Sequence, residues 1–354
     1  MKLEEKKQAL IELGQFFESC LLHYENKAIL KDSLNLEKQV ERGAELINTL
    51  HHENGWFTPN SVKTVFNAWS SSLKDDKISK WLTNYSLDNN ASKRVGVIMA
   101  GNIPLVGLHD VLCVLLANHQ LKAKVSTKDK SLMNLILETL ALIAPEWSAK
   151  IEAPEKLNDI DILIATGSDN SARYFDYYFR DVKKILRKNR TSVAVLDGNE
   201  TEEELKQLSD DIFLHYGLGC RNVTKLYIPK GFDLDRVFNA VFEYKDVINH
   251  NKYANNYDYN KAVYLLNKIE LIENGFLLMK EDEGLHSPVG VLFYEYYENL
   301  SAVEEKLLDS AESIQAAVGS YDKLKLVPFG KAQQPELWDY ADGVDTVEFL
   351  IYDL

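Results

Sequence analysis

The 354-residue chain holds only three cysteines, Cys20, Cys113 and Cys220. They are too few and too scattered for the disulfide framework of a small secreted domain. No C-x-x-C or H-E-x-x-H spacing offers a metal its ligands. No apolar run approaches the ~20 residues that cross a bilayer, and the leading MKLEEKKQAL has neither the apolar stretch nor the cleavage site of a secretory signal. A cytoplasmic protein without membrane insertion is the expectation. Positive charge is also in deficit, with 40 Lys+Arg against 54 Asp+Glu and a net charge of -14. A surface for nucleic acid or anionic lipid needs clustered Lys and Arg, so a small molecule is the expected ligand. Missing too is the G-x-G-x-x-G fingerprint, since GNIPLVG stands after the first strand-like run. The one G-x-G, Gly217 to Gly219, follows a helical pattern rather than a strand. A nucleotide would have to be held in another way.

What is present is ordinary globular composition, 45% hydrophobic and 27% charged, in a chain long enough for two substantial lobes. From Glu4 to Leu50 the spacing is helical, with Leu10, Leu13, Phe16, Phe17, Cys20 and Leu21 on one face. Thr58 and Pro59 open another helix, and DDKISKWL a short one, so residues 1–90 read as a helical cap. At Lys93 the pattern changes. RVGVIMA, a helix LVGLHDVLCVLLANH and LKAKVS form a β-loop-α-β unit, followed by helix 132–143, strand 160–167, helix 170–179 and strand RTSVAVL. Strands that are apolar almost throughout, alternating with helices, imply a parallel sheet covered on both faces. Ligands on such sheets bind at the carboxyl ends of the strands, where GNIP, VSTKD and TGSDN fall. These features predict a first α/β lobe over 91–196 and a second over 197–325. The tail 326–354 ends in a β-like run.

The stretch HYGLGCRN, 215–222, closes a helix carrying Leu205, Leu208, Ile212, Phe213 and Tyr216. Gly217 and Gly219 break that helix just before Cys220. A thiol on such a turn, beside Arg221 and at the start of a further helix, would find backbone N–H groups and positive charge that favour the thiolate. By spacing alone, a small buried core residue is the plainer reading of Cys220. His51 and His52 read as a solvated helix end. His109, His215 and His286 each suit either a base or a satisfied structural histidine.

Six stretches add specificity: GNIPLVGLHDVLCVLL, IATGSDNSARYF, RKNRTSVAVLDGNET, YGLGCRNVTKLYIP, SPVGVLFYEYY and LWDYADGVDTVEFL. From about Arg94 to the C-terminus the chain resembles the LuxC-type acyl-CoA reductases, the fatty-acid reductase branch of the aldehyde dehydrogenase superfamily. The resemblance implies an aldehyde dehydrogenase-like α/β fold with two lobes, mostly parallel sheets and an N-terminal helical region. It implies NADPH-dependent reduction of an acyl-CoA to an aldehyde, with CoA as leaving group, through an acyl-cysteine on Cys220. An aldehyde dehydrogenase or acyltransferase using the same cysteine, or a non-enzymatic relative of the same fold, stands as the alternative.

Residue by residue, the superfamily's P-W-N-F-P segment corresponds to GNIP and gives Asn102 the role of an oxyanion donor. Its K-x-x-E segment corresponds to Lys124, Val125, Ser126 and Thr127. The ribose-binding glutamate is thus replaced by Thr127 and followed by Lys128, which favours the 2′-phosphate of NADP(H) over NAD(H). Gly167 and Ser168 match the T-G-S turn that lets a pyrophosphate approach a helix N-terminus. A gap-free alignment of RTSVAVL puts Leu186 where the general-base glutamate stands in the superfamily, followed by Arg187 and Lys188. Glu283 is a loose substitute. The resemblance admits a homo-oligomer, built in part through the C-terminal run, or an aldehyde-accepting partner enzyme.

Overall fold

The computed structural model describes residues 1–26, 36–87, 91–321 and 324–352. The chain divides into two compact units, Met1–Lys188 with Glu336–Leu354, and Asn189–Pro335.

The first unit opens with four helices, α1 (Leu3–Tyr24), α2 (Glu37–Thr49), α3 (Pro59–Ser72) and α4 (Asp75–Leu82). α3 begins as its sequence dictates: Thr58 Oγ1 accepts the Ser61 N–H at 3.3 Å, and Pro59 occupies the first turn, where its missing N–H costs nothing. On α1 the side chains of Leu10, Leu13, Phe16 and Phe17 are fully buried. They belong to one hydrophobic cluster with Val95, Val97, Leu121 and Ile164 of the sheet that follows. Lys6 is buried with them, and its Nζ donates to the carbonyls of Leu87 and Leu116 at 3.1 and 2.9 Å, which offsets the desolvation of the cation. The N-terminal helices are therefore part of the first unit's core. The portion of the helical expectation over 27–35 lies outside the described residues.

The sheet of this unit is built from β1 (Arg94–Ile98), β2 (Gln120–Lys124), β3 (Ile151–Glu152), β4 (Ile162–Thr166) and β5 (Lys183–Arg187). Helices α5 (Leu108–Leu116), α6 (Lys130–Ile143), α7 (Pro145–Ser148) and α8 (Asp169–Tyr178) connect them. All pairs are parallel, in the order β3-β2-β1-β4-β5. The chain runs outward from β1 to β3, then crosses back to β4 on the other side of β1. That reversal between β1 and β4 is a topological switch point, where ligands of open α/β sheets bind. Register places Ile98 beside Lys124 and beside Ala165, so the loops after β1, β2 and β4 leave from one edge.

The second unit's sheet contains β6 (Thr191–Val195), β7 (Val223–Pro229), β8 (Ile272–Glu273), β9 (Leu278–Glu281), β10 (Val291–Tyr297) and β11 (Ile314–Val318). Its order is β11-β6-β7-β10-β9-β8, parallel except for the β8–β9 pair. Helices α9 (Glu202–Phe213), α10 (Asp235–Val241), α11 (Asn251–Leu266) and α12 (Leu300–Asp309) complete it. α9 has a full capping box, with Thr201 and Glu204 each holding the other's backbone N–H. The link from β9 to β10 returns without a helix. It is pinned to β7 instead, where Thr224 Oγ1 donates to Leu285 O at 2.6 Å and the buried Lys225 Nζ to Glu283 O at 2.8 Å.

Three expectations are corrected. The strand in RTSVAVL lies in the second sheet, not the first, because an additional strand, β5, completes the first sheet; the first unit gives way to the second after Lys188 rather than near Leu196. The C-terminal run is a helix, α13 (Thr346–Ile351), whose buried Val347, Leu350 and Ile351 repeat at three and four residues rather than alternating. Asp345 caps it, accepting the Glu348 N–H at 2.8 Å, and the segment belongs to the first unit. Finally, Cys220 does not begin a helix; it stands in a turn that leads into β7.

Candidate active site

Cys20 and Cys113 are buried and Cys220 is exposed. Burial pushes both inner thiols well above their ordinary range, which keeps them inert as nucleophiles. The turn that presents Cys220 is built from unusual backbone. After α9, His215, Tyr216 and Gly217 hold φ of 53°, 59° and 74° in succession. Left-handed residues other than glycine are uncommon and persist where surroundings impose them. Here the imposing group is Asn222, which is fully buried. Its Nδ2 donates to the carbonyls of Asp211, Ile212 and Leu214 at 3.1, 3.1 and 2.9 Å, and its Oδ1 accepts the Gly219 N–H at 2.8 Å. Ser192 Oγ donates to the Cys220 carbonyl at 3.1 Å, tying the turn to β6.

A second clamp comes from Asp211, whose carboxylate accepts the N–H groups of Gly330 and Ala332 at 2.7 and 2.9 Å. Burial lifts its pKa to about 6, against the lowering effect of those two amides. Arg221 reaches the Ala332 carbonyl at 3.5 Å, so segment 330–332 lies along the cysteine turn. Because β7 starts at Val223, Cys220 stands at the amino edge of the second sheet. A cavity of about 20 Å³, lined by Tyr216 and Gly217 with Tyr253, Ser287, Pro288 and Gly290, has room for about one water. A wider cleft of about 480 Å³ lies at the opposite end of β7, between Lys230, Glu281, Tyr296 and Glu298.

In the first unit the expected cofactor residues share one edge of the sheet. Asn102 is exposed in the loop between β1 and α5. Lys124 ends β2, with Ser126, Thr127 and Lys128 directly after it, half-buried to exposed. Gly101 sits so close to this loop that a Cβ on it would come within 2.4 Å of Ser126 Oγ, which explains glycine there. Gly167 follows β4, and Ser168 caps α8 by accepting the Ser171 N–H at 3.3 Å. Thus Asn102, Lys124, Ser126, Thr127, Lys128, Gly167 and Ser168 are brought to the edge at the switch point, whereas Cys220 belongs to the other unit. Between Lys124 and Lys128 no carboxylate is present, and two ammonium groups flank two hydroxyls. Ammonium and hydroxyl groups of this kind can meet phosphate oxygens.

His109 is half-buried, its ring 2.9 Å from the Leu337 carbonyl through Nε2 and stacked on Trp81; it is structural. His215 has a buried Nδ1 with no hydrogen-bond partner, and burial takes its pKa down to about 4, so the ring is neutral. His286 and Glu283 are exposed, and Glu283 offers its carbonyl, not its carboxylate, to Lys225. Leu186 lies on β5, and the adjacent Arg187 is committed to Asp110 at 2.5 Å and Thr346 at 2.8 Å. Neither can serve as a base. Sequence reasoning missed Asn222, Asp211, Asn54 and Asp129. An asparagine two positions after Cys220 was the one readable signal; the others depend on contacts across long sequence separations.

Among the described residues no helix is long and apolar enough to cross a membrane, and no group of three or more His, Cys, Asp or Glu could hold a metal ion.

Two α/β units with mostly parallel sheets, one bearing an exposed cysteine at the amino edge of its sheet, define a recognisable class of architecture. It is the aldehyde dehydrogenase fold. An aldehyde dehydrogenase from Sinorhizobium meliloti superposes with a TM-score of 0.59 at 11% identity, covering 90% of this chain and 69% of that one. An aldehyde dehydrogenase from Pseudomonas syringae, in complex with NAD+ and octanal, gives 0.57 at 12% identity over 90% and 73% of the two chains. One from Mycobacterium tuberculosis, complexed with NAD+, gives 0.56 at 15% identity over 87% and 72%. No family model and no curated protein matches the sequence.

Proposed function

We propose that the protein is an oxidoreductase that reduces an acyl-CoA thioester to an aldehyde with NADPH. The observation that carries this reading is the Cys220 turn, which spends three left-handed residues and a buried asparagine on holding one exposed thiol. The Cys220 thiolate attacks the thioester carbon, the carbon–sulfur bond to CoA breaks, and CoA leaves as a thiolate. The Asn102 amide donates to the oxygen on which negative charge develops. Gly167, Ser168, Lys124 and Lys128 would hold the dinucleotide by its phosphates. That cofactor supplies the hydride that turns the acyl group into an aldehyde, and the electron pair of the breaking bond returns to Cys220 as thiolate. The structures that superpose on this chain in complex with NAD+ support a nicotinamide cofactor, and the Lys124–Lys128 segment supports its phosphorylated form.

Water attack on the acyl-cysteine needs a base within hydrogen-bond reach, and Leu186 stands in that base's aligned place. Thiol exchange needs no such help. The test mixes the protein with several acyl-CoAs without NADPH, then adds NADPH. An acyl adduct should accumulate on Cys220, exchange with CoA, release fatty acid slowly and yield aldehyde once NADPH is present. Cys220→Ala should abolish both adduct and NADPH oxidation, while Cys113→Ala keeps them. Adduct without NADPH oxidation would leave an acyltransferase. Oxidation of aldehyde alone would leave an aldehyde dehydrogenase, and no reaction a non-enzymatic protein.

A further inference from the structure

An aspartate before a helix ordinarily turns its carboxylate onto the first N–H groups of that helix. Asp129 stands at this position before α6 and makes no such bond. Its Oδ2 instead accepts the N–H of Leu105 at 2.8 Å, 24 residues back in the loop between β1 and α5. Leu105 holds φ at 56°, a conformation that a bulky side chain adopts only when held. The Asp129 side chain is buried, and its Oδ1 has no partner, so the carboxyl is kept out of water for one backbone contact. The same loop is tied again upstream, where Asn54 Nδ2 donates to the carbonyls of Gly101 and Lys128 at 3.3 and 3.4 Å. Asn102 lies between these two fixed points.

We propose that Asp129 is a positioning residue: by holding Leu105 it sets the course of the β1–α5 loop and so aims the Asn102 amide. The inference rests on the oxyanion role given to Asn102 above. Without the acceptor, Leu105 relaxes toward the extended region, and Asn102 shifts while β1 and α5 keep their own hydrogen bonds. A displacement of about 1 Å at a catalytic group can cost on the order of 10²-fold in rate.

The discriminating variant is Asp129→Ser. Its shorter side chain falls short of Leu105, yet its hydroxyl is a good cap for α6. A merely structural Asp129 would then leave activity intact. The measurement is the single-turnover rate of Cys220 acylation by an acyl-CoA, read by intact mass, beside NADPH affinity and thermal stability. Asp129→Ser should stay folded, keep NADPH affinity and slow acylation by roughly 10-fold or more. Asp129→Asn, which retains an oxygen acceptor, should restore the rate. In an Asn102→Ala background, Asp129→Ser should cost nothing further, because the group it aims is gone. Acylation at the unmodified rate in Asp129→Ser, or the same loss again on top of Asn102→Ala, overturns the inference. Full acylation in Asn102→Ala removes the role of Asn102 and this inference with it, while an unmodified protein that fails to acylate overturns the proposed function first.

Discussion

At the scale of single residues, the clearest consequences sit around Asn222. Replacing it by alanine strands three carbonyls and the Gly219 N–H, all previously satisfied by one side chain. Buried groups left unmet cost about 1–3 kcal/mol each, less where water reaches them. Asn222→Ala should therefore destabilise the protein by roughly 2–4 kcal/mol, measurable by urea unfolding, and slow acylation of Cys220 at a temperature where the variant is still folded. Unchanged stability would show that the left-handed turn holds itself. Asp129 gives a second test, in pH. Its folded pKa is about 7 against an ordinary 3.8, mainly from burial, with Glu53 adding to the rise. Between those values the folded state holds a proton that the unfolded chain has lost. Its contribution is thus intact below pH 3.8 and fades as pH rises toward 7, a loss of roughly 4 kcal/mol. Asp129→Asn removes this slope, so its stability relative to the unmodified protein should grow between pH 4 and 7.5. Asp211 and His215 titrate in both proteins and cancel in the difference. A flat difference would mean that the carboxyl is not desolvated. Cys220 was legible because glycines and the end of a helical pattern are local signals. Asn222 and Asp129 were not, because a sequence shows Asp129 as a helix cap and hides the loop that actually takes its carboxylate.

Among the elements, the strands that were read correctly are the ones whose apolar residues are almost unbroken, such as β1 and β4. β5 was missed because KKILR is short and flanked by charge, and Arg187 looks solvated until Asp110 and Thr346 are seen to bury it. α13 was misread because a six-residue helix offers less than two turns of periodicity. Its D-T-V-E start carried the signal that was overlooked, an aspartate cap followed three residues later by glutamate. The loop after β2 carries the prediction that belongs to this scale. Thr127 is exposed, so Thr127→Glu should fold normally. On the function proposed above, a carboxylate there would offer a partner to ribose hydroxyls and repel a 2′-phosphate. NADPH binding should weaken by roughly 1–3 kcal/mol while NADH binding holds or improves, as titration of each cofactor would show. Equal weakening of both would place the effect on loop structure rather than on phosphate recognition.

For the whole molecule, the chain leaves the first unit after Lys188 and returns to it at Glu336. Local patterns could not show this, since tail partners such as Arg187 and Tyr85 lie 159 and 260 residues upstream. The returning segment supplies buried Leu337, Tyr340, Val347, Leu350 and Ile351 to the first core. It also satisfies inner polar groups. Trp81 Nε1 donates to Tyr340 Oη at 2.7 Å, Tyr85 Oη to Asp345 at 2.5 Å, and the His119 ring meets the Leu350 carbonyl at 2.9 Å. Five buried apolar side chains contribute about 1.5–3 kcal/mol each, and the polar groups left behind add about 1 kcal/mol or more apiece. The total matches or exceeds the 5–15 kcal/mol by which a typical domain is stable. Ending the chain at Pro335 should therefore unfold the first unit. The second unit should retain its sheet, because all six of its strands lie between Thr191 and Val318. Hydrogen exchange read by mass spectrometry checks this peptide by peptide: β1 and β4 should lose protection in the shortened chain while β6 and β7 keep theirs. Full protection of β1 and β4 without residues 336–354 would show that the first sheet and its N-terminal helices form a sufficient core alone, and that the returning segment only covers it.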